Sequence, residues 1–296
     1  MVFTAMLLFA AVTDYYNLHR IIQSTGLSLS RFSEDIRVAT MFWTGGIFAA
    51  SLWPLALMLY LDRNEKPVTR IVAILTLLLG FADILLSFSR AVWLIIAIQA
   101  VLLAVFSRRM RPYVLAFALL LSVGLFFGDT WHKLSSTVRP NMLMGLEEHD
   151  WNLLSSKRIF LWQKSWEWIT ERPFTGIGLD TSIDNFLQYY ETNAHNDYLQ
   201  FWLEGGILPA IAMLSIQFIV LNKGIHSARS ASDIRLKELR YSIFLGCLSW
   251  VLLSFVGSFW WAYPAPILQR VALWGLVMSW GFGEERQSPQ NIESTI

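Results

Sequence analysis

Apolar residues fall in long runs near 40–60, 69–87, 91–107, 112–128, 206–222, 241–259 and 265–282. A helix needs about 20 predominantly apolar residues to cross ~30 Å of hydrocarbon. These runs therefore predict seven membrane-spanning helices, the shorter of which recruit interfacial residues or thin the bilayer. A further run, 1–12, is too short to cross and reads as a partial span, the end of a helix whose start precedes this chain. One long polar stretch, 129–205, interrupts the pattern. Within it KRIFLWQKSWEWI reads as a helix, RPFTGIGLD as a glycine-rich turn, and HNDYLQFWLEGG as an amphipathic helix leading into the next span. A connection of that length usually carries function. The pattern thus predicts an all-α fold, a polytopic transmembrane helical bundle with a large outer-face loop of short helices. It divides into N-terminal transmembrane helices (1–128), a periplasmic loop (129–205), C-terminal transmembrane helices (206–282) and a polar cytoplasmic tail (283–296).

Composition strengthens this reading. Hydrophobic residues make up 55% and charged residues 15%, against about 25% charged in a soluble domain. Mean hydropathy is +0.46. The chain lacks the charge to coat a soluble surface, so the lipid bilayer is an expected partner. Net charge is +1, which gives no bulk attraction for nucleic acid. Several Trp and Tyr, including Trp53, Trp131, Trp260, Trp261 and Tyr263, sit at run ends, where an interfacial aromatic belt forms. The basic residues cluster in the connections 61–70, 107–111 and 223–240, which fall on one side if all seven runs span. By the positive-inside rule that side is cytoplasmic, which leaves 129–205 outside. The single cysteine, Cys247, lies in an apolar run. With no paired Cys and no HExxH, the sequence predicts neither a metal nor a cofactor. Glu147, Glu148 and Asp150 read as a solvated charge patch.

Three residues could carry chemistry. Arg90 stands between two apolar runs on the outer side, either as a snorkelling anchor or as a fixed cation facing an anionic headgroup. Asp83, about two turns earlier on nearly the same helix face, could pair with it. Arg158 lies beside an apolar stripe of Ile159, Trp162 and Trp166, with Lys157 and Arg139 as weaker versions of the same idea; a solvated loop arginine is the plain alternative. His195 can accept a proton near neutral pH, or can simply be a surface or capping residue. If 196–204 is helical, His195, Tyr198 and Trp202 share one face. Asp197, Gln200 and Glu204 form an opposite, polar face, with Asn193 or Asn196 as the cap. Gly176, Gly178, Gly205 and Gly206 mark turns, and TGIG is not a phosphate loop.

Taken together these segments resemble the O-antigen ligase and polymerase family of bacterial envelope proteins. The resemblance rests on Ser89–Arg90 opening a span, and on Arg158 and Trp162 followed by PFTGIG at 173–178. It rests above all on the block His195, Asn196, Tyr198, Leu199, Glu204 and Gly206. It covers about 70–222 well and the flanking spans loosely. It implies a GT-C-like, metal-independent membrane glycosyltransferase, multi-pass in the bacterial inner membrane, with its active site facing the periplasm. The donor is implied to be a glycan on undecaprenyl diphosphate, and the acceptor a sugar hydroxyl of lipid A-core or of a growing glycan. By the same resemblance Arg90 and Arg158 bind the diphosphate, His195 is the general base or positions the acceptor, and Asp83, Asn196, Tyr198 and Glu204 support them. Members of the family usually have ten to twelve spans, so the expectation is that N-terminal helices are missing here. A ligase is favoured because one outer loop carries the motif set. A polysaccharide polymerase is the alternative, attachment of glycan to protein a third, and a polysaccharide-carrier transporter or flippase a reading from another class.

Overall fold

The computed structural model describes residue 12, residues 36–86, 89–116, 119, 149–155, 157–189, 193–257 and 270–279. The partial span at 1–12 apart from Val12, most of 117–148, the turn at 260–264 and the tail after 282 lie outside the described residues, as do the side chains of Asp83 and Arg90. The described residues are helical and contain no strand. Helices α1 (Ile36–Leu61), α2 (Pro67–Leu86) and α3 (Arg90–Phe106) follow the first three apolar runs. Short helices α4 (Trp151–Leu154), α5 (Arg158–Glu171), α6 (Ser182–Leu187) and α7 (Asp197–Gly205) come from the polar stretch. Two long helices, α8 (Ile207–Ser230) and α9 (Ile234–Leu253), follow, and α10 covers Arg270–Ser279.

Helix α9 is the hub. It packs against α1, α3 and α8 and is buried nearly all round, through Tyr241, Ile243, Leu245, Cys247, Trp250 and Leu253, as a helix inside a bundle is. Gly246 lets α9 close on α1, since a Cβ there would meet the Ser51 carbonyl at 2.5 Å. Gln99 is the polar rivet of this core: it accepts from Trp53 Nε1 at 2.8 Å and donates to the Leu245 carbonyl at 2.9 Å. Outside, apolar side chains face away from the core at helical spacing. Val68, Ile71, Leu75 and Leu78 do so on α2, and Leu94, Val101 and Val105 on α3. Leu208, Ile211, Leu214 and Phe218 do so on α8. Exposed apolar faces of this extent are rare on soluble monomers; lipid covers them at no cost. Among the described residues α8 is the one helix that meets both the length and the hydropathy needed to cross a membrane, while Ala49–Leu61, Pro67–Phe81, Ala91–Phe106 and Arg270–Ser279 are shorter apolar helices.

One expectation needs correction. The basic connection read at 223–240 is mostly helix: α8 runs on to Ser230, and α9 starts at Ile234. Long charged side chains are good helix formers, so the helices continue past the apolar runs. Asp233 then caps α9 by accepting from the Arg235 and Leu236 amides. The three basic segments meet at one end of the bundle. Arg235 pairs with Asp62 and, at 2.6 Å, with Glu65. Arg109 lies 3.6 Å from Glu238, to which Ser107 also donates.

Candidate active site

The opposite end of the bundle is set by helix register. Helices α3 and α9 run antiparallel, with Ser107 against Glu238 and Gln99 against Leu245. Eight residues along one helix answer seven along the other, and the same register carries the Arg90 backbone to the level of Ser254. Ser89 opens α3 as its cap, accepting from the Val92 amide at 3.4 Å.

The segment around His195 is fastened at that same level. Asn196 caps α7 by accepting from the Tyr198 and Leu199 amides at 3.0 and 3.1 Å, and its own amide donates to the Phe255 carbonyl at 3.2 Å. The Asp197 amide donates to the Ser254 carbonyl at 2.8 Å. The Asp197 carboxylate accepts from Ser254 Oγ at 2.9 Å and from Arg270 Nη1 at 3.3 Å. The Tyr198 hydroxyl reaches Gln217 on α8 and the Val251 carbonyl on α9, and its ring packs on Phe255. Burial pushes the Tyr198 phenol up to about 12, so it stays a donor at physiological pH. His195 itself is half-buried and left-handed, with φ 48°. Its amide donates to Asn193 Oδ1 at 2.9 Å, which closes a tight turn ahead of α7.

Arg158 is the first residue of α5. Helices α5 and α7 pack in the same direction: Trp166 meets Trp202 edge-on at 5.4 Å, and the Pro173 carbonyl beyond the end of α5 accepts from the Ile207 amide beyond the end of α7 at 3.0 Å. Near the start of α5, Leu161 shares an apolar cluster with Ala194, the neighbour of His195. The starts of α3 and α7 thus lie near the Ser254 end of α9, with the first turn of α5 packed beside the turn that precedes α7. The apolar stripe expected beside Arg158 is different. Helix α5 buries Leu161 and Ile169 in a cluster with Phe186, Ala194 and Leu203, buries Ser165 between them in sequence, and leaves Trp166 half exposed.

The expected polar face of α7 points inward. Asp197, Gln200 and Glu204 are all buried. Gln200 accepts from the Ala194 amide at 2.9 Å and donates to Glu204 and to Ser182 Oγ at 2.7 Å. Ser182 Oγ also donates to Glu204. Glu204 therefore sits at the far end of α7 from His195, as a strut that joins α6 to α7. Glycines close this unit. A Cβ at Gly176 would overlap the Glu204 carbonyl, and one at Gly206 the Phe174 carbonyl; both residues have positive φ, 68° and 80°. The PFTGIG turn and the EGG corner meet main chain to main chain, where only glycine leaves room. Of the acidic patch, Asp150 is described: it accepts from the Asn152 amide at 2.7 Å, as a turn residue does.

Residues 75–214 match the family model Wzy_C, O-antigen ligase. This stretch is similar to the O-antigen ligase family. The family comprises membrane enzymes of polysaccharide and lipopolysaccharide assembly, and it implies lipid-linked glycan substrates. No curated protein matches the chain. The matched stretch contains Asp83, Arg90, Arg158, His195, Asn196, Tyr198 and Glu204, whereas Ser254 and Arg270 lie beyond it. Sequence reasoning passed over Arg270. Its signal was present, a lone arginine inside the apolar text ILQRVALW, the kind of residue that is costly in a membrane and kept for a purpose.

Proposed function

We propose that this chain transfers a glycan from undecaprenyl diphosphate to a sugar hydroxyl of lipid A-core, at the periplasmic face of a bacterial inner membrane. The observation that carries the proposal is that the start of α3 and the turn of His195 lie near the Ser254 end of α9, with the first turn of α5 packed on Ala194, away from the basic connections. In this reading the polytopic bundle is GT-C-like, 1–128 and 206–282 supply the transmembrane helices, and 129–205 is the periplasmic loop.

The chemistry follows from the residue types. The acceptor oxygen attacks the anomeric carbon, the carbon–oxygen bond to the diphosphate breaks, and undecaprenyl diphosphate leaves with the electron pair. His195 takes the acceptor proton, and such general-base help is worth ~10²–10⁴ in rate. Arg90 and Arg158 stabilise the charge that develops on the diphosphate. Guanidinium suits this because it stays charged and grips phosphate oxygens in pairs, and pre-placed charge lowers the barrier without reorganisation. Asn196 and Tyr198 hold the turn, Glu204 holds the loop unit, and Asp83 orients Arg90. An apolar cavity of about 390 Å³ between α1, α2 and 111–116, lined by Trp53, Leu77, Phe81 and Ile84 among others, fits part of an isoprenoid tail.

Complementation tests the proposal. A strain lacking its own ligase and carrying this chain is expected to regain its lipopolysaccharide ladder, and to lose it again with His195→Ala. Restoration instead in a polymerase-deficient strain assigns the chain to chain growth. A His195→Ala protein that restores the full ladder sinks the reading.

A further inference from the structure

Arg270 is 1% exposed and sits in an apolar helix, outside the stretch that matches the family and unused by the reaction above. Its guanidinium is already committed. Nη1 lies 3.3 Å from Asp197 Oδ2, Nη2 lies 2.6 Å from Ser254 Oγ, and the group is stacked 4.9 Å from the Trp274 ring and 5.8 Å from Trp250. An arginine caged in this way has no face to offer a diphosphate. It can hold Asp197, and Asp197 stands two residues from His195.

The position of that hold matters. His195 has φ 48°, a conformation that is unfavourable for a non-glycine residue and persists only where the surroundings over-determine it. Upstream, the turn is fixed by Asn193 Oδ1 on the His195 amide and by Gln200 on the Ala194 amide. Downstream, it is fixed by Asn196 on Phe255 and by Asp197 on Ser254 and Arg270. A carboxylate this deeply buried keeps its charge only with its cation beside it.

We infer that Arg270 is a positioning residue for the reaction: through Asp197 and Ser254 it locks the left-handed turn that presents His195. This rests on the reading of His195 as the base. A displacement of about an ångström at a reacting group costs on the order of 10² in rate, so loss of the lock lowers kcat and spares donor binding.

The test uses the full chain in lipid nanodiscs, with undecaprenyl-diphosphate-linked glycan extracted from the strain that the chain complements. The double variant Asp197→Asn/Arg270→Gln removes both buried charges together. It is expected to stay folded, with kcat lowered roughly 10- to 100-fold and donor KM within about twofold. Hydrogen exchange is expected to quicken in the 193–199 peptide and not in α1–α3. Arg270→Lys with Asp197 intact recovers part of the kcat lost in Arg270→Gln. If the double variant does not fold, Ser254→Ala takes its place, with the same direction expected in both readouts. Wild-type kcat in a folded variant, a change confined to KM, or unaltered exchange at 193–199 overturns the inference. His195→Ala run alongside separates the two ideas. An active His195→Ala removes the base, whereas an inactive one beside a fully active double variant removes the lock alone.

Discussion

At one end of the bundle Arg235 reaches Asp62 and Glu65, and at the other Arg270 reaches Asp197. The chemistry is the same and the setting is not. Arg235 is 42% exposed, while both members of the second pair are 1% exposed or less by side chain. In water-facing surroundings an ion pair is worth about 0–1 kcal/mol, because solvent screens it and the long side chains lose freedom. In a dry core the pair gains little over an apolar filling, yet removal of one partner strands a charge at a cost of about 3–5 kcal/mol. The first kind of pair joins connections loosely and marks a side. The second kind commits two helices to one arrangement, and this protein uses it where the histidine turn is.

The largest effect is therefore expected from Asp197→Ala. It should lower stability by about 3–5 kcal/mol, read as the midpoint of thermal unfolding in nanodiscs, and Asp197→Asn/Arg270→Gln should be more stable than Asp197→Ala. A single variant within 1 kcal/mol of wild type would erase the contrast between the two ends. Next comes Gly206→Ala, whose Cβ has no room beside the Phe174 carbonyl and whose φ is 80°; it should cost more than ~1 kcal/mol and raise proteolysis within 173–206. Tyr198→Phe deletes the hydroxyl shared by Gln217 and Val251 and should cost about 1–3 kcal/mol. The same hydroxyl sets a pH window. Its raised value favours the neutral form in the folded state, so its contribution is whole below about 10 and is lost as pH rises towards about 12. A melting curve in that window should be flatter for Tyr198→Phe than for wild type. The smallest effect is expected at the other end, where Arg235→Ala should change stability by less than about 1 kcal/mol and leave the lipopolysaccharide ladder unchanged.

The long helices were legible because apolar runs have one physical reading at this length. Their inner ends were not, since Lys223, Arg229, Arg235 and Lys237 look like loop yet extend helices. The loop was legible as motif text but misread in its faces. On α5 the stripe Ile159, Trp162 and Trp166 stood out, whereas Leu161 and Ile169 are the buried residues that cluster with Phe186 and Leu203. On α7 the polar face of Asp197, Gln200 and Glu204 was legible, but its burial was not, because nothing local reveals that Ser182 and Ser254 satisfy it. Arg270 was missed for the same reason. Its partner lies 73 positions away, and periodicity carries no information over that distance.

The join between α7 and α8 has a mechanical consequence. Gly206 alone separates the two helices, and it is pressed against the carbonyl of Phe174, so no free rotor stands between the long helix and the short one. Helices answer a thinner bilayer by tilting. A tilt of α8 would be carried into α7 and load the bonds that hold its head to Ser254 and Phe255, so under the proposed reaction the thickness of the host membrane would become a setting on turnover.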